Sequence, residues 1–167
     1  MIGKAFVFLN PVQAARFGHV GWGFTLEEGD EPTCYFGSTD HLWRSEFWDI
    51  PAWLRYAHVI PSNDIDWWED SGVCRKMMDV MANGHHLRYH LVKELPVANA
   101  QPQLACQKAR SLARSGWSLL ANNCVHHTYS VLEAYGAALP PPMESPLNLI
   151  PRRWFANIEG TMAQLQR

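Results

Sequence analysis

The residues of this chain whose types and spacing could do chemistry gather in Asn122-Asn123-Cys124-Val125-His126-His127. Cys124, Thr128, Val131, Leu132 and Tyr135 recur at helical spacing on one face, with Asn123 as a suitable N-cap and Gly136 as a suitable left-handed terminator. The spacing therefore predicts a helix over 124–135 with Cys124 in its first turn. There, unpaired backbone N–H groups and the positive end of the helix dipole favour thiolate over thiol, which makes a cysteine nucleophilic. The plainer alternative is a small buried apolar residue, the usual fate of a free cysteine.

A nucleophilic thiol needs a base, and that base need not be close in sequence. His126 lies two residues along the same helix, roughly 200° around it, so it cannot share the cysteine's face. His127 is nearer in angle, but from the same turn it is badly placed to take the proton while leaving an attack path. A zinc pair of Cys124 and His127 would need further distant ligands. The better candidate is His19. In His19 to Leu26, Val20, Trp22, Phe24 and Leu26 alternate against His19, Gly21, Gly23 and Thr25, the pattern of a strand. Two glycines beside the histidine leave one face almost bare, as where a helix or a substrate must approach the backbone. A core histidine bonded to a carbonyl is the competing reading.

The elements that must position these groups follow the same logic. Lys4 to Leu9 reads as a buried strand. Thr33 to Ser38 returns after a charged turn as the partner of the His19 strand, which makes Tyr35 and Ser38 the nearest residues able to orient the imidazole. Leu54 to Ile60 and Leu87 to Lys93 read as strands, and Asp66 to Asn83 and Pro102 to Ser115 as helices, with Val73, Met77, Val80 and Met81 as the apolar stripe of the first. A short helix closes the chain after Pro151. The segment from Asp40 to Trp68 is dense in aromatic residues. With Trp22, its Trp43 and Trp48 could line a substrate groove, although tryptophans more often fill cores. His85, His86 and His90 invite a metal, but no acidic residue stands at ligand spacing among them, so neither metal nor cofactor is expected.

Composition bounds the function. The chain has 167 residues, a length typical of one domain, and no linker interrupts it, so residues 1–167 are taken as a single domain. A formal charge of −2 argues against a protein that lives on phosphate contacts, so nucleic acid is not an expected partner. Cys34, Cys74, Cys106 and Cys124 are scattered without a C-x-x-C pair, which indicates no dense disulfide framework and fits a reducing compartment. No apolar stretch approaches membrane-spanning length, and Ala5 to Leu9 is too short for a signal-peptide core. A soluble, cytoplasmic protein is expected. The residues leave its oligomeric state open.

Gly-His-Val-Gly-Trp early, Tyr-Phe-Gly-Ser on the next strand and Leu-Leu-Ala-Asn-Asn-Cys-Val-His-His late resemble the circularly permuted papain-like hydrolases. That superfamily embraces NlpC-type and PPPDE peptidases and the lecithin retinol acyltransferase-like enzymes. The resemblance spans roughly Lys4 to Gly136. It implies Cys124 as nucleophile, His19 as base and His126 as a supporting histidine, while His127 stands where an aromatic residue is usual. Of the possible third groups, Tyr35 and Ser38, neither is convincing, so a Cys-His dyad is expected. Asn123 is assigned to capping and the amide of Asn122 to a possible oxyanion contact.

The fold expected is α+β: an antiparallel sheet built from Lys4, His19, Thr33, Leu54 and Leu87 onward, packed against helices, with the cysteine helix across the His19 strand. The function expected is hydrolysis of a peptide or isopeptide-type amide through an acyl-enzyme. An acyltransferase or phospholipase using the same thiolate on an acyl-bearing substrate is one alternative. A non-catalytic binding module on the same fold is the other.

Overall fold

A computed structural model of the chain describes residues 1–27, 29–39, 51, 59–60, 67–84 and 88–166. Six strands form one antiparallel sheet, in the order β5 (Trp67–Val73), β3 (Thr33–Thr39), β2 (His19–Glu27), β1 (Gly3–Asn10), β6 (Leu91–Val97), β8 (Thr161–Gln164). A two-residue pair, β4 (Val59–Ile60) with β7 (Trp117–Ser118), stands apart. Four α-helices lie among the described residues: α1 (Cys74–Asn83), α2 (Pro102–Leu112), α3 (Cys124–Tyr135) and α4 (Pro151–Asn157). Among the described residues no helix is long and apolar enough to cross a membrane.

The central strand β1 is apolar on both faces because both faces are covered. Ala5, Val7 and Leu9, with Val20, Trp22 and Phe24 of β2, meet α2, α3 and α4 through Ala105, Ala109, Val131, Leu132, Tyr135, Trp154 and Phe155. On the opposite face, Phe6, Phe8, Cys34 and Phe36 meet Met77 and Met81 of α1, with Tyr89 and Val92. The glycine face of β2 belongs to this second layer. A Cβ on Gly21 would lie 2.8 Å from Met81 Cε and 2.8 Å from the Tyr89 hydroxyl, and one on Gly23 2.5 Å from Met77 Sδ. The close approach that the glycines permit is therefore to a packed helix and a tyrosine.

Several expectations need correction. Residues 67–73, expected to be helical, form β5 and pair with β3 from Thr39↔Trp67 to Thr33↔Val73. The methionine periodicity is real but begins only at Cys74, whose backbone N–H donates to Pro32 O (2.9 Å). Cys74 is also joined to Cys34 by a disulfide, with the Cα atoms 4.9 Å apart. That pairing argues against the reducing compartment expected from the scattered cysteines, since structural disulfides persist where conditions are oxidising. Sequence spacing does not show this bond, because the β3–β5 pairing is what brings the two residues together. The strand expected over 87–93 is displaced to Leu91–Val97, because Arg88 adopts a left-handed φ of 40° and breaks the extended chain. Pro96 is tolerated within β6 because β8 reaches only from Leu91 to Glu94 on that side. Most of Leu54 to Ile60 lies outside the described residues. The exposed edge strand β8 follows the final helix and carried no periodic signal.

Candidate active site

The cysteine helix is built locally, as its sequence implies. Asn123 is the N-cap. Its Oδ1 accepts the N–H groups of Val125 (2.9 Å) and His126 (3.3 Å), and its own N–H donates to His126 Nδ1 (3.3 Å), completing a reciprocal capping box. Its amide donates to the carbonyls of Leu119 (2.9 Å) and Leu149 (3.3 Å), tying both flanking turns to the helix entrance. At the other end Gly136, at φ 100°, closes the helix in the left-handed conformation. Cys124 thus occupies the first helical position, only 6% exposed.

Two opposing effects act on the thiol. Burial pushes its pKa up, and the backbone N–H groups of Val20, Val125 and Cys124 itself pull it back. Burial wins, leaving the thiol at about 11, so at neutral pH the sulfur keeps its proton. The helix N-terminus alone does not make this cysteine a thiolate. The Val20 N–H, in the peptide group that joins Val20 to His19, lies near the sulfur but short of a hydrogen bond of good geometry.

His19 opens β2 opposite Asn10 of β1 and is 6% exposed. Its Nε2 lies 3.0 Å from Ser38 Oγ, which in turn receives the Tyr89 hydroxyl at 2.6 Å and donates to Val20 O at 3.4 Å. Of the two hydroxyls expected nearest the imidazole, Tyr35 and Ser38, it is Ser38 that reaches it. Trp22 pairs with Gly37, so continuing the register one step sets Ser38 opposite Gly21, on the face that carries His19. Burial first, and the neighbouring His127 second, push the His19 pKa down to about 3, so the ring is neutral. Its Nδ1 has no hydrogen-bond partner among the described residues, and no hydrogen bond joins His19 to Cys124.

A second buried imidazole stands close by. His127 Nδ1 lies 2.7 Å from Thr39 Oγ1, and its ring meets Trp67 edge-on with centroids 5.6 Å apart. Its Nε2 is buried without a partner, the Gly116 carbonyl lying near the ring but short of a hydrogen bond of good geometry. Burial, then His126, lowers its pKa to about 4. No protein-family model matches the chain, and no curated protein or solved structure matches it.

The remaining candidates are distributed differently from expectation. Tyr35 lies on the opposite face of β3 from Ser38, packed on Trp22 and Phe24 with its phenol beside Glu69 and Arg110, so it does not orient His19. The Asn122 amide is taken up by Ser115 O (3.3 Å), Ser115 Oγ (3.1 Å) and Gly116 O (2.8 Å), which leaves it no donor for an oxyanion. Trp22 is fully buried and stacked on Phe24, a core residue and not a groove wall. Trp43, Trp48, His85 and His86 lie outside the described residues. Among the described residues no three His, Cys, Asp or Glu side chains are grouped to hold a metal. Sequence reading missed Tyr89 and Thr39. Tyr89 sat in the alternation of a presumed strand and carried no distinguishing signal.

Proposed function

We propose that the protein is a thiol hydrolase of the permuted papain-like kind, cleaving an amide bond with Cys124 as nucleophile and His19 as base. The observation that supports the reading is a buried cysteine at the capped start of α3 together with a buried His19 held at Nε2 by Ser38, the Val20 N–H that follows His19 lying near the sulfur. With the thiol high and the imidazole low, the resting pair is neutral. Attack then proceeds by general-base catalysis. As Sγ bonds to the substrate carbonyl carbon, the thiol proton passes to His19 Nδ1. The oxyanion is met by the Cys124 N–H at the helix start. His19 next gives its proton to the leaving amine, and water, deprotonated by the same nitrogen, releases the acid from the thioester.

A second reading, a non-catalytic module on the same fold, draws on a specific observation: the thiol is buried, protonated at neutral pH and not hydrogen-bonded to His19. Intact-mass spectrometry separates the two. After incubation with peptide, isopeptide and phospholipid substrates in turn, a hydrolase carries an acyl mass on Cys124 that disappears in Cys124→Ala. The substrate that leaves the adduct tells an amidase from an acyltransferase or phospholipase, and no adduct with any of them favours the binding module.

A further inference from the structure

Resting on the thiol-hydrolase reading, the geometry points to Tyr89 as the positioning residue of the site, acting through Ser38 to fix which nitrogen of His19 carries its proton. Ser38 has one hydroxyl hydrogen and two lone pairs. The Val20 carbonyl can only accept, so it takes the serine hydrogen, and Tyr89 donates into one lone pair at 2.6 Å. Only a lone pair is left to face His19 Nε2, 3.0 Å away. When all three contacts are made at once, Nε2 must be the protonated nitrogen and Nδ1 the unprotonated one. A histidine in this tautomer can take a thiol proton at Nδ1. In the other tautomer it cannot.

The chain fixes Tyr89 in place independently of the site. Arg88 holds a left-handed φ of 40°, an arrangement that costs a non-glycine residue free energy and persists only where the surroundings enforce it. Three hydrogen bonds from its carbonyl onward do so here. Asn10, the residue opposite His19, donates its amide to Arg88 O (3.2 Å), the Tyr89 N–H donates to Met81 O (2.9 Å), and the His90 N–H donates to Leu9 O (2.9 Å). The turn at Arg88 delivers a tyrosine only 1% exposed to the hydroxyl beside His19, their ring centroids 6.0 Å apart.

The proton balance is simple. The thiol proton moves to Nδ1, the imidazolium keeps its Nε2 proton and donates it as a hydrogen bond to Ser38, and no proton crosses to Ser38 or Tyr89. When the amine leaves, the Nδ1 proton goes with it and the starting tautomer is restored. Tyr89 therefore sets the tautomer of the neutral resting ring, and its part is to position His19 through Ser38.

The test is nitrogen NMR of the full chain with imidazole-labelled histidine, assigned by comparison with His19→Gln, in the wild type, Tyr89→Phe and Ser38→Ala. The wild type is expected to show His19 protonated at Nε2. Tyr89→Phe frees the serine hydrogen to turn toward Nε2, so the two tautomers mix and kcat falls about tenfold with KM unchanged. Ser38→Ala should mix them further, and Ser38→Thr should keep the wild-type tautomer. An Nδ1-protonated His19 in the wild type would overturn the proposal, as would a Tyr89→Phe protein with wild-type tautomer and rate. The NMR arm needs no turnover. An inactive wild type showing the Nε2–H form supports the positioning role while removing the hydrolase reading.

Discussion

Two neighbouring residues at the end of β3 each hold a buried histidine: Ser38 holds His19 on the α1 face of the sheet, and Thr39 holds His127 on the α3 face. Both rings are neutral for the same reason, burial. They differ in what lies around them. His127 shares a helix with Cys124 and has its second nitrogen shut away beside Trp67. His19 comes from a different element, the next amide along its chain lies near the cysteine sulfur, and Tyr89 backs its hydroxyl partner. A buried, hydroxyl-bonded histidine is thus not in itself a base. On the proposed reading, what distinguishes His19 is that it comes from a different element than Cys124 and is backed through Ser38 by Tyr89.

The largest expected effect breaks this comparison if it fails. His19→Ala should lower kcat about 10²–10⁴-fold in a steady-state amidase assay, whereas His127→Ala should leave kcat nearly unchanged and act on stability. Equal losses would mean that the two histidines have been wrongly distinguished. Stability should also depend on pH through both rings. Their pKa values fall on folding, from 6.5 to about 3 and about 4, so the unfolded chain binds more protons in acid. Stability is then fully present above pH 6.5 and lost as pH drops toward 3. Cys124 works in the opposite sense, its pKa rising from 9.0 to about 11, and erodes stability as pH climbs above 9.0. Urea denaturation across pH should show a plateau between these limits, and replacing either histidine by glutamine should flatten the acid side.

The disulfide lies on the His19 face. It joins β3 to the first turn of α1 across a separation of 40 residues, and chain-entropy reasoning gives its reduction a cost of about 4 kcal/mol. Denaturation with and without a dithiol reductant measures it. Hydrogen exchange should then show loosening at Met77, Met81 and Tyr89 before the cysteine helix. Smaller still, Ser38→Ala and Thr39→Val should each cost about 1–3 kcal/mol in the same denaturation experiment, by leaving a buried ring nitrogen without its partner. Only the first should slow catalysis. Asn123→Ala removes the helix cap and should cost about 1 kcal/mol.

The parts of the molecule that were legible in the sequence are those decided by neighbours along the chain. The cysteine helix, its cap at Asn123 and its stop at Gly136 depend on side chains reaching backbone within one turn. The β2–β3 hairpin likewise follows from alternation and a charged turn. What could not be read was decided at long range. Pairing with β3 overrides the helical periodicity near Val73, the same pairing joins Cys34 to Cys74, and the turn at Arg88 depends on Asn10, 78 residues away. The bare face of β2 was correctly recognised as one that something must approach, but sequence could not say that α1 fills it. For the same reason Ser38 looked unconvincing as a partner for His19 until its hydroxyl was seen held by Tyr89.

The most direct test is the rate at which an activated acyl ester acylates Cys124 at pH 7, followed by mass spectrometry in the wild type, His19→Ala and His127→Ala. Because the thiol rests protonated, the wild type should acylate at least about a hundredfold faster than His19→Ala, with His127→Ala close to the wild type. Equal, slow acylation in all three would contradict the assignment of Cys124 and His19 as nucleophile and base.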